Sequence, residues 1–246
     1  MNRSIKALLA VSILLIITVD ATHAQSSRGN RRGNINDYLV HSDEGQDIMG
    51  RNFYGLRELE RILKTKLPRR EIDQSYYVPF LKSTLERCRN CILFFYSPRF
   101  GVKSWGSSIR SFLFSRIRWI KKSFASNRRV AWWRDQRFAK QTLKSGWRLI
   151  RTEIDGNPAN ILNGRYRLGA RERIAPALLY VYAMLLSPRS FDGKYIMTSS
   201  NTDQRRNMVI VGESRGRIII DSLLIRPNTG WAVEIKPDRQ GRGRGR

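Results

Sequence analysis

Histidine is nearly missing from this 246-residue chain, which holds only His23 and His41. A Ser-His-Asp or Cys-His system needs an imidazole beside its nucleophile. His41 lies in a polar stretch far from any such partner, so that chemistry drops out. Cysteine is as scarce, with only Cys88 and Cys91. Zinc takes about four ligands, which two thiols and one histidine cannot supply, so the expectation is no metal and no cofactor. No Gly-rich turn follows a strand and opens a helix, as phosphate cradling requires. "VGESRG" at 211–216 reads as a hairpin turn instead. Acidic residues are few, 20 Asp+Glu against 46 Lys+Arg, for a net charge of +26. A field of that sign and size attracts polyanions in a salt-dependent way. The partners it suggests are anionic polymers or lipid surfaces, with nucleic acid among the candidates and no small-molecule substrate identified.

Long apolar runs are also lacking, apart from the N-terminus. "MNRSIKALLAVSILLIITVDATHAQ" carries Arg3 and Lys6, then an uncharged run from Ala7 to Val19, then small residues at Ala21, Thr22 and Ala24. This is the layout of a secretory signal peptide. The run is shorter than the roughly 20 residues of a membrane span. Export with cleavage after Ala24 is expected, Ala21 being the second site and an uncleaved anchor the alternative. Losing residues 1–24 removes two bases and one acid, so export leaves the basic excess almost intact.

The remaining chain divides by composition. Residues 25–50 are polar and rich in Gly, Asn and Ser, and read as a flexible arm. Residues 51–237 hold the apolar patterning of one α+β domain, with helices at its N-terminal side and a mainly antiparallel sheet at its C-terminal side. Residues 238–246 end in Arg-Gly alternation that cannot bury a core and read as a disordered tail. Helices are expected over 55–67, over 78–88 after Pro79, along 104–127, over 132–143 and over 172–186. "CILFFYS" (91–97) is a continuous apolar run suited to a buried strand. "GWRLIRTEI" (146–154) reads as another strand, and four strands with Gly-containing turns follow residue 193.

The segments "FYGLRELERIL", "VPFLKSTLERC", "AWWRDQRFAKQTLKSGWRLIR", "LLYVYAML", "YIMTSS" and "VIVG" occur in that order between Phe53 and Gly212. In this the chain resembles a family of uncharacterised bacterial proteins, and "WRDQRFAK…GWRLIR" is the most specific part of the likeness. The resemblance implies an architecture and no reaction. The leader, the basic 104–129 segment and the Arg-Gly tail look like additions to it. "EIDGNPANILNGRYRLGARE" stands where the family shows a polar Asn-Ser-Thr stretch and a Glu-Gln pair.

Three features carry candidate chemistry. Cys88 and Cys91 form "CRNC", which in an exported protein reads as a local disulfide. A redox pair would want a helix N-terminus to lower a thiol pKa, and this pair follows a helix. The second feature is "IIIDSLLIRPNTGWAVEIK" (218–236). It places Asp221, Glu234 and Lys236 as a metal-dependent nuclease would, with Glu213 or Glu172 as further ligands. The other reading is a C-terminal hairpin with its charges in solvent. The third is the acid-free stretch 99–129, where an apolar-aromatic stripe (Trp105, Ile109, Phe112, Ile117, Ile120, Phe124) runs beside Arg110, Arg116, Arg118, Lys121, Lys122, Arg128 and Arg129. Phe114 and Trp119 fall off the stripe. A basic amphipathic segment with exposed aromatics suits an anionic polymer or membrane surface, and ordinary packing with a cationic outer face is the alternative. Arg242, Arg244 and Arg246 of the tail belong to the same contact set. The leading reading is non-catalytic polyanion binding, with the nuclease as the enzyme alternative.

Overall fold

The apolar run at 91–96 is the heart of the molecule. In a computed structural model, Cys91–Tyr96 forms β4 with every residue buried. The structure describes residues 39–63, 66, 69–98, 107–115, 117–125, 131–152, 168–203, 207–222 and 229–238. The fold is α+β, and residues 39–238 belong to one unit. Residues 1–38, which hold the expected signal peptide and the first part of the expected arm, and residues 239–246 of the expected tail lie outside the described residues.

β4 is flanked by β2 (Phe53–Tyr54), which runs parallel to it, and by the antiparallel β5 (Gly146–Arg151). The five-stranded sheet has the order β2-β4-β5-β11-β6, with β6 at Glu172–Ile174 and β11 at Val233–Ile235. A four-stranded sheet has the order β10-β7-β8-β9, from β7 (Tyr195–Asn201), β8 (Met208–Ser214), β9 (Arg217–Asp221) and β10 (Thr229–Trp231). The two sheets join at Ala232, whose N–H donates to Met197 O at 2.9 Å and whose carbonyl accepts from Ala175 N at 2.7 Å.

The helix Ala177–Leu186 is apolar all round and buried at every position, as such a helix must be. It packs against β7 and β8 of the four-stranded sheet. The Tyr180 hydroxyl ties it to the other sheet, donating to Arg151 O at 2.8 Å and accepting from Val233 N at 2.9 Å. Pro176 precedes its first turn, where its missing N–H costs nothing, and Ala177 N donates to Ser200 Oγ at 3.0 Å. On β8, Gly212 lies opposite Tyr195, whose ring would meet an added Cβ at 2.3 Å. The β8–β9 turn places Arg215 and Gly216 at φ 53° and 75°, the two left-handed positions of a type I′ hairpin.

The structure corrects several expectations, among them the 172–186 helix: Glu172–Ile174 is β6, paired with β11, and the helix begins only at Ala177 after Pro176. Residues 39–50, expected as part of a flexible arm, are folded. Leu39–His41 forms β1, which pairs antiparallel with β3 (Tyr77–Leu81) and buries Val40, and Ser42–Met49 is a helix, α1, followed by α2 (Leu56–Leu63) and α3 (Arg69–Ser75). His41 Nδ1 accepts from Asp43 N, and Asp43 and Glu44 sit favourably in the first turn. The 78–88 segment is half strand: the end of β3 passes directly into the short helix α4 (Lys82–Arg87). The 104–127 stripe is two short helices, α5 (Ile109–Leu113) and α6 (Arg118–Lys122). A Ser108–Ser111 capping box starts α5, and between the two helices Ser115 Oγ accepts from Ile117 N. The 132–143 helix is a 3-10 turn at Trp132–Asp135 followed by α7 (Arg137–Lys140), parted at the extended Gln136. Asp203 Oδ2 accepts from Arg137 N at 3.0 Å, which holds that break. Finally, Asp238, expected in the disordered tail, is anchored, accepting from Leu81 N at 2.8 Å and forming an ion pair with Arg171.

Candidate anion-binding surface

The nuclease constellation is not assembled. Asp221 ends β9, where it pairs with Ile210 at one edge of the four-stranded sheet, and its Oδ1 accepts from Ser222 N. β10 lies at the opposite edge, and β11 lies in the other sheet, so 218–236 is not a hairpin at all. Glu234 is 1% exposed and sits between β5 and β6, directly opposite Arg173 and Ile150. Arg173 grips it in a fork, Nε to Oε2 and Nη2 to Oε1, both at 2.8 Å, and Arg148 Nη1 donates to Oε1 at 3.2 Å. The carboxylate in turn holds the Arg173 guanidinium above its ordinary range. Both oxygens of Glu234 are therefore committed to guanidinium donors, as a buried carboxylate requires. Lys236 is exposed beyond the end of the strand.

The proposed additional ligands are elsewhere. Glu172 pairs with Arg151 at 2.6 Å. Glu213 is buried on β8, where burial and a hydrogen bond with Asp192 push its carboxyl above the usual range. Among the described residues no group of three metal-ligating side chains forms.

The described part of the basic segment, 107–115 and 117–125, turns its apolar side inward. Ile109, Phe112, Ile120 and Phe124 of the stripe are buried, and Ile117 is half-buried. Phe112 packs on Tyr182 and Phe124, and Phe124 on Trp133. Residues 123–125 also cover the outer edge of β9: Ala125 N donates to Ile218 O at 2.9 Å, and Ile218 N to Ser123 O at 2.6 Å. An open strand edge there would invite pairing with another chain. The packing reading of the stripe thus holds, and the face left outside is cationic. Arg118, Lys121 and Lys122 project from α6, exposed, around Trp119, which is 38% exposed. Phe114 is 41% exposed, and the Arg110 guanidinium lies over its ring at 5.8 Å. Arg110 also approaches Asp135 at 3.7 Å, an acid held below its usual range chiefly by the hydrogen bond from Arg134. Trp132 is 44% exposed, its Nε1 donating to Ile220 O. Arg116, Arg128 and Arg129, with Trp105, Arg242, Arg244 and Arg246, lie outside the described residues.

Cys88 and Cys91 are joined in a disulfide at the C-terminal end of α4, their Cα atoms 5.4 Å apart. Both are buried, and the helix end beside them is the wrong one for lowering a thiol pKa. Replacing both with Ser is expected to cost about 2 kcal/mol, the chain-entropy value for so short a loop. Urea melts check this, and polyanion binding should not change. A thiol-exchange activity lost with the pair would contradict the structural role.

Beside the disulfide opens a cleft of about 630 Å³ whose lining includes Arg87, Arg89, Arg151 and Arg171. The sequence pattern did not single these out, because they come from α4, the turn after it, the end of β5 and the turn before β6. The Arg148–Glu234–Arg173 cluster was missed for the same reason: its members sit on three strands that meet only in the sheet.

No family model matches this chain, and no curated protein or solved structure is similar enough to it to count as a match. The functional reading therefore rests on the chain's own residues.

Proposed function

We propose that the protein is exported and acts without catalysis, binding an anionic polymer or lipid surface of the cell envelope or its surroundings. The observation that carries this reading is the face of α5 and α6. There Arg110 lies over the exposed ring of Phe114, while Arg118, Lys121 and Lys122 are exposed on the same helix as the exposed Trp119, and neither helix carries an acid. Flexible cations supply long-range attraction, and the rings add contact area that tolerates many partners. The Arg-Gly residues 239–246 would add charge to the same attraction.

The test is binding of the full chain without its leader to duplex DNA, used as a sequence-neutral polyanion, with salt as the variable. Export is checked separately. Mass spectrometry of the native protein should find a mature N-terminus at or near Gln25, whereas an intact Met1 on a cytoplasmic protein would contradict it.

A further inference from the structure

The cleft beside the disulfide has a charge pattern of its own. Two of its arginines are already matched. Arg151 Nη2 lies 2.6 Å from Glu172 Oε1, and Arg171 pairs with Asp238 while donating to Lys236 O at 2.9 Å and Thr84 Oγ1 at 3.2 Å. These bonds fix the two guanidinium groups in the wall. The other two are not matched. Arg87 is steadied by its Nε, which donates to Ser83 O at 2.9 Å. Arg89 stands on the exposed turn that the Cys88–Cys91 disulfide closes. Neither has an ion pair among the described residues, so within them these two positive charges at the cleft have no acidic partner.

A carboxylate would balance one of them, but a phosphate monoester, carrying about −1.5 to −2 at neutral pH, balances both. Guanidinium groups also match its oxygens in paired hydrogen bonds. The volume, about 630 Å³, lies within the range of small-ligand pockets, so there is room for the body that bears the phosphate. Ile235 and the disulfide give that body an apolar wall. We propose that this cleft seats a phosphate monoester, and that the disulfide serves the site by holding the Arg89 turn in place. The proposal does not depend on the α5–α6 face.

The experiment is isothermal titration of the full chain without its leader with glycerol 3-phosphate, and with acetate at the same ionic strength. Saturable one-site binding is expected for the phosphate, with acetate weaker by about tenfold or more. Arg87→Gln with Arg89→Gln breaks no ion pair among the described residues and should lose about tenfold or more, as the loss of a charge-assisted hydrogen bond implies. Arg118→Gln, Lys121→Gln and Lys122→Gln together should leave this binding unchanged, which separates the cleft from the polyanion face. Equal affinity for acetate and phosphate, or a folded double variant that binds like the parent, would overturn the proposal. Phosphatidylcholine vesicles containing phosphatidic acid identify the source of the ester. Vesicle binding displaced by glycerol 3-phosphate supports a lipid headgroup, and binding of the soluble ester alone supports a free one.

Discussion

Glu234→Ala is expected to destabilise the protein by about 3 kcal/mol, because it strips a buried carboxylate from two arginines and leaves them facing each other. Arg148 is 15% exposed and can turn to water only in part, while Arg173, 47% exposed, has more freedom to do so. That asymmetry places the value at the lower end for broken buried pairs. For a domain of this size the melting temperature should fall by roughly 6–12 °C. Glu234→Gln keeps one acceptor oxygen for the Arg173 fork and should lose less. Thermal melts with and without Mg²⁺ or Mn²⁺ check both the number and the role. The fold account expects the loss with no effect of metal. An unchanged melting temperature for Glu234→Ala, or metal-dependent stabilisation that the substitution abolishes, would restore the carboxylate as a ligand.

Glu234 also shows where the sequence stops being legible. Alternation along "AVEIK" puts Glu234 and Lys236 on one face, and a wet antiparallel face is the ordinary home for such charges. What decides the matter is that β11 is an interior strand with arginines on both neighbours, a pairing between residues 148, 173 and 234 that no local pattern carries. The sheet change at Ala232 is hidden in the same way, since the residue is small and apolar like its surroundings. By contrast, β4 and the 177–186 helix were readable because an unbroken apolar run has nowhere to go but the core. The helix at 42–49 was missed because its buried side is made partly of Gly45, packed close to Phe53 and Val78, rather than of large apolar side chains. At the candidate surface, the exposure of Phe114 and Trp119 followed from their position off the stripe. The cleft arginines did not, because they converge from separate elements.

Arg118→Gln, Lys121→Gln and Lys122→Gln in one chain should weaken duplex DNA binding roughly 100- to 1,000-fold at low salt, since each lost phosphate contact forfeits its counterion release. The salt slope should become shallower by about 3, one for each contact. The fold should survive, because all three side chains are exposed and Ile120 still anchors α6. Trp119→Ala should reduce affinity at every salt concentration and leave the slope alone, because the ring contributes contact area and no charge. Deleting 239–246 removes four arginines, Arg239, Arg242, Arg244 and Arg246, and should weaken binding without lowering stability. A triple variant with the parent's affinity and slope would move the contact off α6.

If this chain holds anionic partners through its cationic face, its affinity for duplex DNA must depend on salt. Log K should fall linearly as log salt rises, with a slope of about −3 or steeper for the parent chain. A slope near zero, or no binding at low salt, would contradict it.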